Sequence, residues 1–261
     1  MRSVQSLLIA FSSGLLLLVS TVSAASMTLQ QSFVADLNRE IAAVEQQQLE
    51  AGGETFLLLS LERMTSYNKG TAILVPDWSE HAASPKHINN LRRQLTDYGW
   101  NTLAIMPPPA VVDHSNADAV QQFTELLKAR MQTTLQLADK NAGVVIVIAQ
   151  GSSAAALNTL YAAAQLPQPA ALILLGAYFP DETLNRAFAQ ALATHQVPTL
   201  DISHTQDNRY ATQQLQLRRK LVDKQLKAVY RQRYLVGSGY NNDIQQWVMQ
   251  EIYGWLSSVG L

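Results

Sequence analysis

The sequence contains no cysteine, which excludes disulfides, thiolate metal sites, a cysteine nucleophile and a lipoprotein anchor. Charge is scarce: Asp, Glu, Lys and Arg make up 15% of the 261 residues and sum to −1 at pH 7. A chain this close to neutral gives no electrostatic reason to expect nucleic acid as a partner. It has no internal repeat, no low-complexity tract and no linker long enough to separate domains. It also lacks a glycine-rich phosphate cradle and a metal-ligand cluster, so no cofactor and no metal are expected. Histidine is sparse as well, limited to His81, His87, His114, His195 and His204.

What is present is apolar. Residues of the apolar class make up 48% of the chain, enough for a substantial core in one large α/β domain. The first 24 residues read as a signal peptide. Arg2 supplies the positive start, Leu7–Val19 is an apolar run broken only by Ser12, Ser13 and Gly14, and Val22-Ser23-Ala24 is a small-x-small cleavage site. The run is short for a membrane span and carries no basic residue on its far side. The expected mature protein is residues 25–261, bacterial, periplasmic or secreted, with a net charge of −2 once Arg2 is gone. It keeps no stable membrane anchor.

From there strands and helices alternate. Met27–Glu50 has apolar residues at helical spacing (Leu29, Phe33, Leu37, Ile41, Val44) and reads as a surface helix ended by Gly52-Gly53. Strands are expected at Phe56–Leu61, Thr71–Val75, Thr102–Met106, Val144–Ile148, Ala171–Leu175, Pro198–Ile202 and Ala228–Val236. Helices are expected at Ile88–Tyr98, Asp118–Lys140, Ala154–Ala164, Glu182–Leu192, Tyr210–Leu226 and Ile244–Ser257, the last with Trp247, Ile252 and Trp255 on one side. Val144–Ile148 is unbroken and apolar on both faces, as a central parallel strand is when helices cover both sides of the sheet. The fold class is therefore α/β, a mostly parallel central sheet with helices on both faces. Ligands of such sheets bind at the carboxyl ends of the strands.

Two stretches carry a family likeness. Gly70-Thr-Ala-Ile-Leu-Val-Pro-Asp-Trp looks like the strand that supplies an oxyanion-hole amide. Leu91-Arg-Arg-Gln-Leu with Tyr98-Gly-Trp-Asn-Thr-Leu looks like the helix and strand that follow it. On these grounds the chain resembles the α/β-hydrolase superfamily. Within it, the chain is similar to a bacterial exported group classed as a domain of unknown function.

The resemblance implies a strand–nucleophile–helix elbow, Gly-x-nucleophile-x-Gly. Laid on the chain without a gap, it falls on Ala149-Gln150-Gly151-Ser152-Ser153, and Gly151 occupies the nucleophile's place. Sliding the pattern by one or two residues makes Ser152 or Ser153 the nucleophile; a serine beside such a turn also suits a helix cap. The superfamily's base lies after the last strand, in a pattern ending Gly-x-Gly-His. Here that loop reads Gly237-Ser-Gly-Tyr240, and a tyrosine cannot shuttle protons at neutral pH. The acid position is filled by Asp207. His204 is either a base recruited from the same loop or a solvated loop residue. Asp201, inside a strand, needs partners. Trp78 either floors a pocket or packs beneath its loop, and Tyr178 and Phe179 at the rim carry the same ambiguity. The basic stretch Arg218, Arg219, Lys220, Lys224, Lys227, Arg231 and Arg233 reads either as a solvated helix face or as a surface for anionic lipid or glycan.

These readings converge on an exported hydrolase-fold protein whose triad is degenerate. It would be a non-catalytic binding or interaction protein for a small molecule or an envelope protein. Its ligand cleft is expected around Asp77, Trp78, Gln150, Gly151, Tyr178 and Tyr240. The alternative is a divergent, esterase-like serine hydrolase using Ser152 or Ser153 with Asp207 and His204. Intact-mass analysis of protein recovered from cells should find Ala25 as the first residue; a membrane-bound product retaining Met1 overturns the address.

Overall fold

A computed structural model describes residues 29–113 and 116–261. The expected signal peptide, residues 1–24, and His114 lie outside these described residues. Helix α1 (29–40) precedes a hairpin of β1 (Gln46–Ala51) and β2 (Glu54–Leu61). Then come β3 (Gly70–Val75), α2 (Ile88–Gln94), β4 (Trp100–Ile105) and α3 (Ala117–Ala138). The centre is β5 (Val144–Gln150) and α4 (Gly151–Ala162), followed by β6 (Ala171–Leu175), α5 (Glu182–Thr194) and β7 (Thr199–His204). The chain closes with α6 (Arg209–Gln213), α7 (Leu215–Lys224), β8 (Tyr230–Leu235) and α8 (Asn242–Ser258).

The eight strands form one sheet in the order β1-β2-β4-β3-β5-β6-β7-β8. β1–β2 and β2–β4 are antiparallel, and every other neighbouring pair is parallel. Side chains alternate across the sheet, so one strand feeds two cores. In β5, Val147 and Ala149 face the layer built on α3, α4 and α5, whereas Ile146 and Ile148 face α2 and α8. β3, β4, β6 and β7 are buried along their whole length, which explains the apolar spelling of β6 and most of β3, while β4 and β7 also bury polar residues such as Asn101, Thr102 and Asp201. Among the described residues no helix is long and apolar enough to cross a membrane.

Several local expectations change. The helix expected through Glu50 ends near residue 40, and Gln46–Ala51 pairs with β2 instead. Gly52 and Gly53, both at positive φ, turn a two-residue hairpin and do not stop a helix. The polar Gln46–Gln48 run is tolerated because β1 is an edge strand. The last turn expected of α2 is a 3-10 turn (Leu95–Tyr98), and the long helix expected at Tyr210–Leu226 breaks at Gln214 into α6 and α7. Val144 is 39% exposed at the start of its strand, and Trp247 is 46% exposed, apart from the buried Ile252 and Trp255.

The basic stretch is not uniformly solvated either. Arg218 is fully buried and pairs with Asp201 at 3.4 Å, and Asp201 also accepts from the Tyr230 hydroxyl at 2.9 Å and from Gln232 at 3.3 Å. These contacts supply the partners that a carboxylate inside a strand requires and fasten α7 across β7 and β8. Lys227, also buried, donates to the Leu192 carbonyl at 2.9 Å and faces His195 at 3.2 Å; burial lowers its pKa to about 7.

Ile146 sits mid-sheet with no solvent exposure, opposite Ala72 and Ala171. Ile146→Asp should cost about 3–5 kcal/mol through an unpaired buried charge. A soluble variant with a cooperative melt close to that of the parent contradicts this placement.

Candidate functional site

The carboxyl ends of β3 and β5 lie side by side, and the chain leaves each by a sharp turn. After β5 the backbone turns at Gly151, whose φ of +58° lies in the left-handed region, and α4 begins at once. This is the strained strand-to-helix geometry that presents a nucleophile in hydrolases, and the ungapped alignment locates it correctly. After β3, Pro76-Asp77-Trp78 curls back so that Asp77 lies over the elbow.

Asp77 fills the position. A Cβ placed on Gly151 would lie 2.3 Å from Asp77 Cγ and 2.5 and 2.6 Å from its two oxygens. Asp77 Oδ1 accepts from the backbone N–H of Ser152 and from that of Trp78, both at 2.8 Å. One of those amides follows the elbow and the other belongs to the β3 loop. These are the two places from which hydrolases draw the donors aimed at an oxyanion. A carboxylate oxygen of the chain itself stands in for that oxyanion. Burial, reinforced by nearby Glu80, raises the Asp77 pKa to about 6 against the lowering effect of the two amides and Lys86.

Around this contact the rim is polar. Gln150 donates to Glu80 at 2.9 Å, Ser84 also donates to Glu80, and Gln150 Oε1 is buried without a partner. The Tyr178 hydroxyl lies 3.5 Å from Asp77 Oδ2, and burial together with that carboxylate pushes its pKa upward. Phe179 and Trp78 resolve as packing: Phe179 is buried in the core, and the Trp78 ring meets Phe123 edge-on at 5.3 Å. Trp78 serves the cleft through its amide, not its ring. Tyr240 stands exposed over Lys86, 6.0 Å from ring centroid to nitrogen.

A second cluster lies at the end of β7. Asp207 accepts from His204 Nδ1 at 3.1 Å and from its amide at 2.7 Å, and pairs with Lys86 at 2.9 Å. Burial alone would raise its pKa, but His204 and Lys86 outweigh burial and hold it well below the usual carboxylate range. His204 is therefore buried and bonded, not a solvated loop residue. Its ring stacks on His87 at 4.9 Å, and His87 in turn presses against Gly239, where a Cβ would come within 2.3 Å of Nε2. His87, with φ of 71° and no hydrogen bond to either ring nitrogen, is held near pKa 3 by burial and by the charges of His204 and Lys86. Sequence reasoning missed Glu80, Lys86 and His87. Glu80 has a near partner in Ser84, but Gln150, Asp207 and His204, which draw the three into the site, come from loops far along the chain.

Ser152 and Ser153 do not cap α4. Its N-cap is Gln150, and both seryl hydroxyls are buried in the first turn, with that of Ser152 beside the Tyr178 hydroxyl. His204 Nε2 is unbonded, so neither serine is linked to the histidine of the proposed triad. Among the described residues no group of three or more His, Cys, Asp or Glu is arranged to hold a metal ion.

The fold is that of α/β-hydrolases. An alpha-beta serine hydrolase homologue from Coxiella burnetii superposes with a TM-score of 0.61 at 14% identity, over 81% of this chain and 99% of its own. Est1E from Butyrivibrio proteoclasticus gives 0.60 at 11% identity, over 82% and 99%. S-formylglutathione hydrolase (FrmB) from Staphylococcus aureus gives 0.59 at 11%, over 81% and 95%. Residues 20–117 and 110–258 match the family described as "Protein of unknown function (DUF3530)", and the chain belongs to that family. No curated protein matches it by sequence.

The Asp77 environment sets a pH dependence. A carboxyl raised from 3.8 to about 6 binds its proton more tightly when folded, so it lowers stability as pH rises from about 4 to 6 and no further above. At about 1.4 kcal/mol per unit this amounts to about 3 kcal/mol. Asp77→Asn keeps an oxygen for the two amides and removes the buried charge. It should melt above the parent at pH 7.5, and the difference should vanish near pH 4. Equal pH profiles for the two proteins contradict the assignment.

Proposed function

We propose that this protein is a non-catalytic member of the α/β-hydrolase fold, exported to the bacterial envelope, that binds and does not turn over its ligand. The observation that carries this reading is the Asp77 carboxylate, which occupies both the nucleophile's space and the oxyanion hole. Acyl transfer needs a nucleophile, a base within hydrogen-bond reach and vacant donors for the developing charge. Glycine at 151 removes the first, tyrosine at 240 removes the second, and Asp77 takes up the third. The signal-peptide pattern of the first 24 residues supports export.

The rival reading, a divergent ester hydrolase, draws on the His204–Asp207 pair and on the esterases that share the fold. It requires Ser152 or Ser153 to reach a histidine, and both hydroxyls are buried without such a bond. The two readings separate with a fluorophosphonate probe. Purified mature protein should remain unlabelled, and so should Gly151→Ser, whose new side chain would meet Asp77 at a strained backbone position. Labelling of the parent that disappears in Ser152→Ala or Ser153→Ala, with esterase activity lost in His204→Ala, establishes the hydrolase instead.

A further inference from the structure

Beside the filled centre, on the same carboxyl rim of the sheet, lies a groove of about 1410 Å3. It is enclosed by α1, the start of β2, residues 109–113 and the first half of α3. Val34, Phe56, Val111, Val112, Phe123 and Leu126 give it mostly apolar walls. Its volume exceeds the range of about 300–1,000 Å3 typical of compact small-molecule pockets, so it suits an elongated ligand. Val112, 67% exposed, leaves a large apolar side chain in water along one wall.

The lining also contains a buried cation. The Arg130 side chain is 3% exposed, donates to the Met106 carbonyl at 2.8 Å and lies over the Phe56 ring at 5.1 Å. Its acidic neighbour is Glu54 at 3.6 Å, longer than the roughly 2.7–2.9 Å of a charge-assisted hydrogen bond, and Glu54 is itself 58% exposed. Burial lowers the Arg130 pKa to about 10, which leaves it charged at neutral pH. The desolvated guanidinium thus has an exposed side chain as its counter-ion, which an anionic ligand can replace, and its planar fork matches a carboxylate.

We propose that this groove binds a long-chain carboxylate, with its hydrocarbon chain along the apolar walls and its head group on Arg130 in place of Glu54. Glu54 is then a competitor for the guanidinium, and the ligand supplies the apolar surface that covers Val112. The site involves no residue of the filled centre, so it stands or falls independently of the fluorophosphonate result.

Isothermal titration of the mature protein with decanoate, decanol and decyltrimethylammonium, each below its aggregation limit, tests the assignment. Decanoate should bind saturably at one site, with decanol at least tenfold weaker and the cation not binding. Glu54→Gln, a change at an exposed side chain, should tighten decanoate several-fold and leave decanol unchanged. Arg130→Gln should reduce decanoate to the level of decanol. Because that substitution also removes a bond to Met106, Ala119→Trp provides a second route: it fills the groove with Arg130 intact and should abolish binding of both. Absence of saturable decanoate binding, equal affinity for the three head groups, or an unchanged affinity in Glu54→Gln overturns the proposal. Decyl phosphate binding more tightly than decanoate overturns the choice of head group.

Discussion

One carboxylate oxygen accepting two backbone N–H groups organises the carboxyl rim of this sheet. Asp77 Oδ1 ties the loop after β3 to the first turn of α4, two segments separated by 75 residues of sequence. The position is favourable in one respect, since an anion at a helix N-terminus meets unsatisfied donors and the positive end of the helix dipole. It is unfavourable in another, since the carboxylate has left water. The raised Asp77 pKa shows which effect is larger: desolvation outweighs the two amides. The contact therefore persists because the space over Gly151 has no other occupant, not because the charge is comfortable there.

Asp207 shows the opposite balance a short distance along the rim. It is also buried, but Lys86 and His204 give it a cation and two further donors, and its pKa falls. Two carboxyl groups driven apart in this way often mark an acid and a base in a working site. In the non-catalytic reading proposed above they do not. Asp77 accepts from the Ser152 and Trp78 amides, where a substrate oxygen of a hydrolase would have to lie. Asp207 is occupied by Lys86 and His204, and the His204 ring is covered by His87. Each titratable group is satisfied, or stacked, by another part of the chain.

The sheet and its elbow were legible in the sequence because both rest on local pattern. Unbroken runs such as Ala171–Leu175 encode burial on both faces, and Gly151 at the end of β5 encodes the left-handed turn. The ungapped register puts Gly151 at the turn, but registers placing Ser152 or Ser153 there stay open until the φ of Gly151 is known. What filled the elbow was not legible. Asp77 was visible as a rim residue, but its contact with Gly151 depends on how tightly Pro76-Asp77-Trp78 curls, which no periodicity records. His87 beneath Gly239 is similar, a close approach between segments 152 positions apart. At β1 the local signal misled: the helical spacing of Leu37, Ile41 and Val44 runs on into residues that a two-glycine turn commits to an edge strand.

The filled centre also constrains which changes could reopen it. A side chain at 151 and a carboxylate at 77 exclude one another, because the former's Cβ would lie within 2.6 Å of both oxygens of the latter. Substitutions at the two positions are therefore coupled, and neither alone measures the other's effect. A serine at 151 needs a smaller residue at 77, and that change in turn removes the group that satisfies the Ser152 and Trp78 amides in the resting protein. The loop that carries position 240 rests through Gly239 on the His87 ring, while the Tyr240 side chain itself is exposed. On the reading proposed above, a nucleophile and vacant amides thus require coupled change in the loops after β3 and β5. The groove at Arg130 needs none, because its walls and its cation are already in place and only a surface carboxylate stands in the way.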